Sequence, residues 1–330
     1  MITTDGPALR WAVHLPSWQP QDREWVFLKD IIGADERKQV EQFRFHDDKK
    51  RAVISRLLKL ACVHHALDVA WEEVTIRYTK GNKPYYRSQQ DQDKFGAPNF
   101  NFNVSHEGDY VVLASEPLCV CGIDVAAPQQ ARSSPTKTFQ ELYETFRSQI
   151  SRAEWQTILR SGHDDATREE AFQQYWSLKE AFAKARGDGL GFDFSRASFT
   201  IHPGHPARAS VAVDGRPQPL WRFQLQRLGD RHWVSVARGP VQDIVDAWQG
   251  FTATLQHPCP SWHHYQVALT APWPAFQMLS VGDLLPAHLK EAYREACSPC
   301  LRMFPHLAVP TYLGSGDNPP VSPRLACVRS

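Results

Sequence analysis

The chain presents one order of patterns twice, with helical patterns first and strand patterns after them. In the first third, apolar residues over 53–61 recur at the helical period, and over 99–104 apolar residues alternate with asparagines at the two-residue period of a strand. In the second third, helical patterns cover 139–149, 152–160 and 169–186, and strand patterns cover 197–201, 221–228 and 232–237. Runs of helices followed by runs of strands are typical of an α+β fold, and the repetition predicts that this architecture is built twice.

A polar stretch over 126–138 is rich in Pro, Ser and Gln and has the composition of a linker. The helix and strand patterns weaken after about residue 242. A chain of 330 residues is long for one domain and fits two globular units with some length left over. We therefore expect an N-terminal α/β subdomain over 1–125, a C-terminal α/β subdomain over 126–242, and a C-terminal extension without an assigned role over 243–330.

Composition narrows the class of protein. Hydrophobic residues make up 42% of the chain, so it can bury a sizeable core, and 37 Lys and Arg against 36 Asp and Glu exclude a uniformly basic nucleic-acid binder. No apolar run approaches the ~20 residues that cross a bilayer, and the start of the chain lacks the apolar core of a secretory signal. The chain has seven cysteines, an odd number that cannot all pair in disulfide bonds, which argues against a secreted disulfide framework. These features predict a cytoplasmic protein without a membrane or nucleic-acid partner, and we expect a monomer.

The segment 175–184 is the most informative for chemistry. Trp176, Glu180 and Lys184 are four residues apart, so they line one face of a helix that Gly187 would end. One interpretation is a surface Glu–Lys pair that contributes about 0.2–0.5 kcal/mol. The other is a functional pair, because the neighbouring aromatic residues predict a largely buried helix, in which an acid and a lysine need a partner or a role.

Three shorter segments carry further candidates. Asp124 lies near the carboxyl end of an apolar strand pattern, where open sheets place ligands, or it caps the following turn. Ser105 and His106 end the alternating strand and are either functional or structural, since no G-x-S-x-G motif accompanies them. The basic turn over 80–84 could hold a phosphate or be a solvated loop.

Taken in this order, the segments resemble the 4′-phosphopantetheinyl transferase superfamily, and its Sfp-type enzymes in particular. The motifs that carry the resemblance are Lys-Gly-Asn-Lys-Pro over 80–84, Phe-Asn-Val-Ser-His over 102–106, Gly-Ile-Asp over 122–124, Trp-Ser-Leu-Lys-Glu-Ala-Phe-Ala-Lys over 176–184 and Gly-Leu-Gly-Phe over 189–192. The resemblance covers about 11–238. It is nearest to the broad-specificity eukaryotic branch, which serves fatty acid, polyketide, nonribosomal peptide and lysine-pathway carrier domains.

The resemblance implies an enzyme that moves phosphopantetheine from coenzyme A (CoA) to a serine of an acyl or peptidyl carrier domain, with Mg²⁺ as cofactor and 3′,5′-ADP as the other product. The nucleophile then belongs to the partner protein, so the chain needs no Ser/His/Asp set of its own. The implied fold consists of two similar α/β subdomains that form a pseudo-dimer, with CoA in the cleft between them.

By the same similarity, Asp124 and Glu180 hold the Mg²⁺, and Glu180 is also the general base for the incoming serine, directly or through a water. Lys184 meets the pyrophosphate and stabilises the charge on the leaving group. Many bacterial members carry a second acid two residues after the aspartate, where this chain has Ala126. Water would then complete the coordination of the metal.

The resemblance also assigns the CoA contacts. Ser105 and His106 match the residues that contact the CoA phosphates in this family. Lys83, with Lys80 in the same turn, matches a basic contact on the nucleotide side. Arg51 matches a basic position that only some members have.

Two other functions stay open on the sequence. A non-catalytic CoA-binding or carrier-binding module would keep the nucleotide contacts but would need no Glu180. A zinc or redox protein would use the C-x-x-C pair Cys297 and Cys300 together with Cys259, although a lone pair of this kind is a weak zinc signal.

Overall fold

A computed structural model describes residues 6–128, 138–256 and 262–298 of the protein. These residues contain two groups of helices and strands, followed by a shorter third group. The first group comprises β1 (Arg10–His14), α1 (Asp22–Ile31), α2 (Ala34–Glu41), α3 (His46–Leu67), β2 (Arg77–Tyr78), β3 (Pro84–Tyr85), α4 (Gln89–Lys94), β4 (Asn101–Glu107) and β5 (Tyr110–Glu116). The second comprises β6 (Val120–Ala126), α5 (Phe139–Phe146), α6 (Arg152–Arg160), α7 (Asp165–Arg186), β7 (Ala197–His202), β8 (Ala207–Val213), β9 (Arg216–Pro217), β10 (Arg222–Leu228) and β11 (His232–Gly239). The third comprises α8 (Trp262–Thr270), β12 (Gln277–Met278) and α9 (Lys290–Cys297). The predicted α+β class is confirmed.

The first sheet has the strand order β12–β1–β5–β4. β5 pairs antiparallel with both β1 and β4, and β12 pairs parallel with β1, with Gln277 opposite Trp11. An edge strand of the N-terminal sheet therefore comes from the C-terminal extension. This gives the extension a structural role that its sequence pattern did not indicate.

The long helix α3 covers the first sheet. The apolar face predicted for it is fully buried, because Val53, Ile54, Leu57, Leu58 and Ala61 are each 0% exposed. These side chains pack in one cluster with residues of β1, β4 and β5 and with the extension around 279–285. Full burial of each large aliphatic side chain contributes about 1.5–3 kcal/mol.

The second sheet has the order β6–β11–β10–β8–β7, with β9 paired to β8, and helix α7 packs on it. Both α3 and α7 have 22 residues, and each packs on a mainly antiparallel sheet. β6 pairs antiparallel with β11, with Asp124 opposite Ser235. The sheets thus place β6 among the strands of the second half, although the expected boundary at 125 assigns most of it to the first. The division of the chain at 125 and 242 stays a prediction.

Asparagine side chains join β4 of the first sheet to β6 of the second. Asn101 accepts a hydrogen bond from the Cys121 amide at 2.9 Å and donates one to the Cys119 carbonyl at 2.7 Å. Asn103 accepts from the Ile123 amide at 3.0 Å. The amide-lined face predicted for 99–104 is therefore buried, and it satisfies backbone groups of a strand that belongs to the other sheet.

A buried charged cluster ties β1, β5 and β11 together. Glu116 accepts hydrogen bonds from Arg10 and Arg238, and all three residues are at most 3% exposed. The ring of Trp273, from the extension, lies 5.3 Å from the Arg10 guanidinium carbon and 4.3 Å from that of Arg238. The extension therefore covers a charged junction between the two halves.

Candidate active site

Helix α7 carries the predicted catalytic residues, and its two ends have clear causes in the sequence. Asp164 caps the first turn by accepting a hydrogen bond from the Thr167 amide, and Gly187 ends the helix in the left-handed conformation at φ 72°. The helix therefore begins four residues before the predicted start at 169. Its predicted burial is confirmed, since Phe172, Tyr175 and Phe182 are each at most 5% exposed.

Gly122 allows α7 to approach β6 closely. A Cβ atom at this position would lie 2.0 Å from the Ala181 carbonyl oxygen and 2.6 Å from the Ala185 amide nitrogen, much closer than real Cβ contacts. Asp124 is two residues further along β6, so it projects to the same side of the strand as Gly122. Because the helix backbone is this close, Asp124 comes within reach of Lys184.

Three predicted site residues from three elements meet directly. Lys184 of α7 contacts Asp124 Oδ1 of β6 at 2.6 Å and Ser105 Oγ of β4 at 3.0 Å. Ser105 donates a hydrogen bond to the same Asp124 oxygen at 2.8 Å. Burial opposes the charge of Lys184, but Asp124 and Glu180 outweigh it and raise the pKa of the ammonium. Lys184 is therefore fully charged at neutral pH.

Glu180 lies one turn before Lys184 on the same helix face. Burial raises its pKa to about 7, and the nearby negative charge of Asp124 adds to this shift. A carboxylate with a pKa near neutral can both accept and release a proton under physiological conditions. Glu180 thus has the acid–base property expected of the predicted general base.

Glu107 is a residue near this centre that sequence reasoning missed. Its charge contributes to the raised pKa values of both Glu180 and Lys184, and its Oε2 accepts a hydrogen bond from the Ala127 amide at 3.2 Å. The signal was present in the strand period, because Ser105 and Glu107 are two residues apart on β4 and share a face.

A cavity of about 1070 Å³ opens beside these residues. Glu180 and Lys184 form part of its wall, together with the 80–84 turn and the glycine-rich segment over 189–192. Lys83 donates a hydrogen bond to the Lys184 carbonyl oxygen at 2.9 Å, and burial lowers the pKa of its ammonium to about 8. Lys80 lines the same cavity with an exposed side chain. The two predicted nucleotide-side lysines therefore face the space beside the charged centre.

His106 and Arg51 lie beside the centre without lining the cavity. Desolvation by surrounding atoms lowers the pKa of His106, and the positive charges of Arg51 and Lys184 lower it further. Arg51 donates to the Gly108 carbonyl oxygen at 2.9 Å and pairs with Asp48 at 2.9 Å. The Arg51 guanidinium is thus already bonded to protein atoms, whereas His106 stays exposed at the end of β4.

Lys179, which precedes Glu180 on α7, has a structural role. It forms an ion pair with Glu154 at 2.8 Å, and both side chains are 0% exposed. Its ammonium also donates to the carbonyl oxygens of Phe194 and Ala197, and Glu154 accepts from the Phe199 amide at 2.8 Å. The pair therefore fixes the chain that follows the glycine-rich segment of the cavity wall.

Two further observations concern the described parts of the chain. No group of three or more His, Cys, Asp or Glu side chains there could hold a metal ion. Cys297 ends α9, but Cys259 and Cys300 lie outside the described residues, so the zinc hypothesis on these cysteines stays a prediction. Over the same described ranges, no helix has the length and apolar character needed to span a bilayer.

Comparison with known proteins assigns both halves to one family. Residues 16–118 match the family model for the N-terminal part of 4′-phosphopantetheinyl transferase, and residues 120–237 match that of the 4′-phosphopantetheinyl transferase superfamily. A solved structure, the holo-[acyl-carrier-protein] synthase of Thermotoga maritima, matches 36% of this chain and 62% of that chain at 23% identity and a TM-score of 0.25, which is too low to support any argument about the site.

Curated relatives support the same assignment. The L-aminoadipate-semialdehyde dehydrogenase-phosphopantetheinyl transferase of Mus musculus is 33% identical over 236 residues, which cover 69% of this chain and 74% of that protein. A phosphopantetheinyl transferase of Thraustochytrium is 34% identical over 230 residues, covering 69% and 77%. A 4′-phosphopantetheinyl transferase of Bacillus pumilus is 28% identical and covers 58% and 72%. The chain therefore belongs to the 4′-phosphopantetheinyl transferase superfamily and is an enzyme of that class.

Proposed function

We propose that this enzyme transfers the phosphopantetheine group of CoA to a serine of an acyl or peptidyl carrier domain, and that the cavity beside Lys184 holds CoA. The observation that supports this most is the Lys184–Asp124 ion pair, which stands beside Glu180 at the wall of a 1070 Å³ cavity. Pyrophosphate chemistry needs positive charge at the reacting phosphorus and a base for the nucleophile, and this arrangement supplies both.

In this proposal the serine Oγ of the carrier attacks the phosphorus atom that bears the pantetheine arm. An Oγ–P bond forms while the bond from that phosphorus to the bridging oxygen breaks, and the bridging oxygen leaves with 3′,5′-ADP. Glu180 accepts the serine proton, directly or through a water. Lys184 stabilises the negative charge that develops on the leaving phosphate.

The acids of the site fit Mg²⁺ in charge and in donor type. Asp124 and Glu180 repel each other, and the raised pKa of Glu180 reflects this repulsion in addition to burial. Magnesium prefers carboxylate, phosphate and water oxygens, so Asp124 and Glu180 would hold it together with the pyrophosphate. Bound there, it would neutralise the pyrophosphate charge and lower the barrier to phosphoryl transfer.

The remaining predicted residues would contact CoA from the cavity wall and from positions beside the cavity. Lys80 and Lys83 offer ammonium groups along one cavity wall, and Ser105 offers a hydroxyl beside Lys184. His106 would donate to a phosphate, since phosphate binding favours its charged form against the surrounding desolvation. Arg51 would act mainly through its positive charge, because its guanidinium already bonds to Gly108 and Asp48.

The direct test loads a carrier domain. Purified enzyme is mixed with CoA, Mg²⁺ and an apo carrier, and intact-mass spectrometry of the carrier should show the added mass of one phosphopantetheine group. Parallel carriers from fatty acid, polyketide and nonribosomal peptide synthases would identify the preferred partner. Chelation of the metal with EDTA should stop loading, and Mg²⁺ should restore it.

A matched pair of variants tests the role of Glu180. Glu180→Gln should nearly abolish loading while leaving CoA binding within about twofold, because the amide keeps the shape but cannot accept the proton and is a weaker ligand for Mg²⁺. Glu144→Gln makes the same chemical change at an exposed position on α5 and should leave loading unchanged. If Glu180→Gln kept half of the wild-type rate, the base assignment would be wrong. CoA binding by the wild type without any loading would instead support a non-catalytic CoA-binding module.

A further inference from the structure

A loop from the C-terminal extension closes one side of the cavity. This covering loop, residues 245–252, is attached to the end of α7, where the amides of Val245 and Ala247 donate to the carbonyl oxygens of Arg186 and Gly187 at 2.9 and 3.0 Å. Helix ends leave carbonyl groups without intrahelical partners, and the loop satisfies two of them. The loop therefore has a fixed position relative to the helix that carries Glu180 and Lys184.

The loop is also held in shape internally. The Asp246 carboxylate accepts hydrogen bonds from the amides of Gly250, Phe251 and Thr252 at 3.0 to 3.1 Å. Phe251 is 2% exposed, and the Lys83 ammonium lies 4.1 Å from the centre of its ring. One end of the loop is thus anchored beside a predicted nucleotide-binding lysine.

Trp248 is the exposed residue among the three loop residues that line the cavity, the other two being Asp246 and Phe251. It lines the cavity wall, yet it remains 50% exposed. Buried aromatic surface is strongly stabilising, so a large ring held half open on a cavity wall offers a surface for a ligand.

Two glycines of the family motifs make room for this ring. A Cβ on Gly81 would lie 2.6 Å from Trp248 Cδ1, and a Cβ on Gly189 would lie 2.0 Å from Trp248 Nε1. Gly81 belongs to the basic turn and Gly189 to the glycine-rich segment, so the indole contacts the backbone of both cavity walls. The ring therefore lies next to the turn that carries Lys80 and Lys83.

We propose that Trp248 stacks on the purine base of CoA while the lysines of the adjoining turn contact the phosphate of the same nucleotide. This rests on the proposed function of the cavity as the CoA site. A flat aromatic surface next to a basic turn matches a base and its phosphate, whereas the flexible pantetheine arm has no aromatic ring to stack on such a surface. Because the covering loop is fixed at both ends, little ordering is needed when the base binds.

The test compares ligands that contain different parts of CoA. Isothermal titration of the full-length protein is carried out with CoA, with 3′,5′-ADP, which has the base but no arm, and with 4′-phosphopantetheine, which has the arm but no base. Trp248→Ala should weaken binding of CoA and 3′,5′-ADP by about the same factor, roughly 10-fold. It should leave phosphopantetheine binding unchanged. Trp248→Phe keeps an aromatic ring and should recover most of the affinity.

Val245→Ala is the matched control, because Val245 is 48% exposed on the same loop and does not line the cavity. It should change none of the three affinities. An unchanged 3′,5′-ADP affinity in Trp248→Ala, or an equal loss for phosphopantetheine, would overturn the inference. If Trp248→Ala does not fold, tryptophan fluorescence is measured instead while 3′,5′-ADP is added to the wild type and to Trp248→Phe. Stacking predicts stronger quenching in the wild type, and equal quenching in the two proteins would refute it.

The same measurements separate this inference from the proposed function. A wild type that binds 3′,5′-ADP through Trp248 but loads no carrier would refute the transfer reaction and leave the stacking intact. If the wild type loads carriers and Trp248→Ala binds CoA and 3′,5′-ADP as tightly as the wild type does, only the stacking is refuted.

Discussion

Replacing Gly122 by alanine should separate the helix from the strand at the charged centre. The added Cβ would lie 2.0 Å from the Ala181 carbonyl oxygen, and an ordinary contact begins near 3.4 Å, so α7 must retreat by about 1.4 Å. The Lys184–Asp124 contact of 2.6 Å would then lengthen to about 4.0 Å. At an effective dielectric constant of about 20, that change weakens the pair by about 2 kcal/mol.

The expected result is a loss of both stability and activity. Overpacking of this kind costs about 1–3 kcal/mol in the free energy of unfolding, measured by urea denaturation. The kcat/KM for carrier loading should fall about 30- to 100-fold, because a shift of about 1 Å in a catalytic group has effects of this size.

A matched glycine separates the two effects. Gly215 has φ 75° and no atom within 4 Å of an added Cβ, so Gly215→Ala should cost about 1–2 kcal/mol through backbone strain alone. It should leave kcat/KM unchanged. If Gly122→Ala lost the same stability but kept wild-type loading, then the close approach of α7 to β6 would not set the geometry of the site.

Three further outcomes are expected. Lys179→Met should lower the free energy of unfolding by about 3–5 kcal/mol, because it removes the cation that pairs with the buried Glu154 carboxylate. A cost below 1 kcal/mol would argue against a tightly buried pair. The kcat/KM for CoA should fall as pH rises through about 8, because the Lys83 ammonium of the unliganded enzyme loses its charge there. Lys83→Arg should remove this decline, since arginine stays charged. The same decline in both proteins would assign it to another group. Asn101→Leu should lower the free energy of unfolding by about 3 kcal/mol or more, because it leaves the Cys121 amide and two carbonyl groups without their partner. Urea unfolding curves followed by near- and far-UV circular dichroism measure this, and curves that match the wild type would count against the joining role of the asparagine.

Local signals predicted the central elements well. The helix predicted over 152–160 begins and ends as expected, since Ser151 and Glu154 form a capping box before an apolar period. The face shared by Glu180 and Lys184 and the strand that ends near Asp124 were also predictable, because each depends on a short-range period. The catalytic roles of these residues stay predictions, and the structure supports them by bringing Ser105, Asp124 and Lys184 into contact.

Contacts between distant segments could not be predicted in the same way. Nothing in the period around Lys179 indicates that its partner is Glu154, which lies 25 positions earlier in another helix. The pairing of β12 with β1 and the position of Trp248 against Gly81 depend on a chain that returns across the whole molecule. These features come from tertiary packing, and local propensity carries little information about it.

The match to the family model ends at residue 237, whereas helices and strands of the fold continue to the end of α9. A recombinant fragment cut at that residue would divide β11 and delete β12 and Trp273, although both family motif regions would be intact. It would expose the outer edge of β1 to intermolecular strand pairing and uncover the arginines around Glu116. We therefore expect such fragments to form inclusion bodies, and cloning boundaries for this enzyme are better taken from the end of α9.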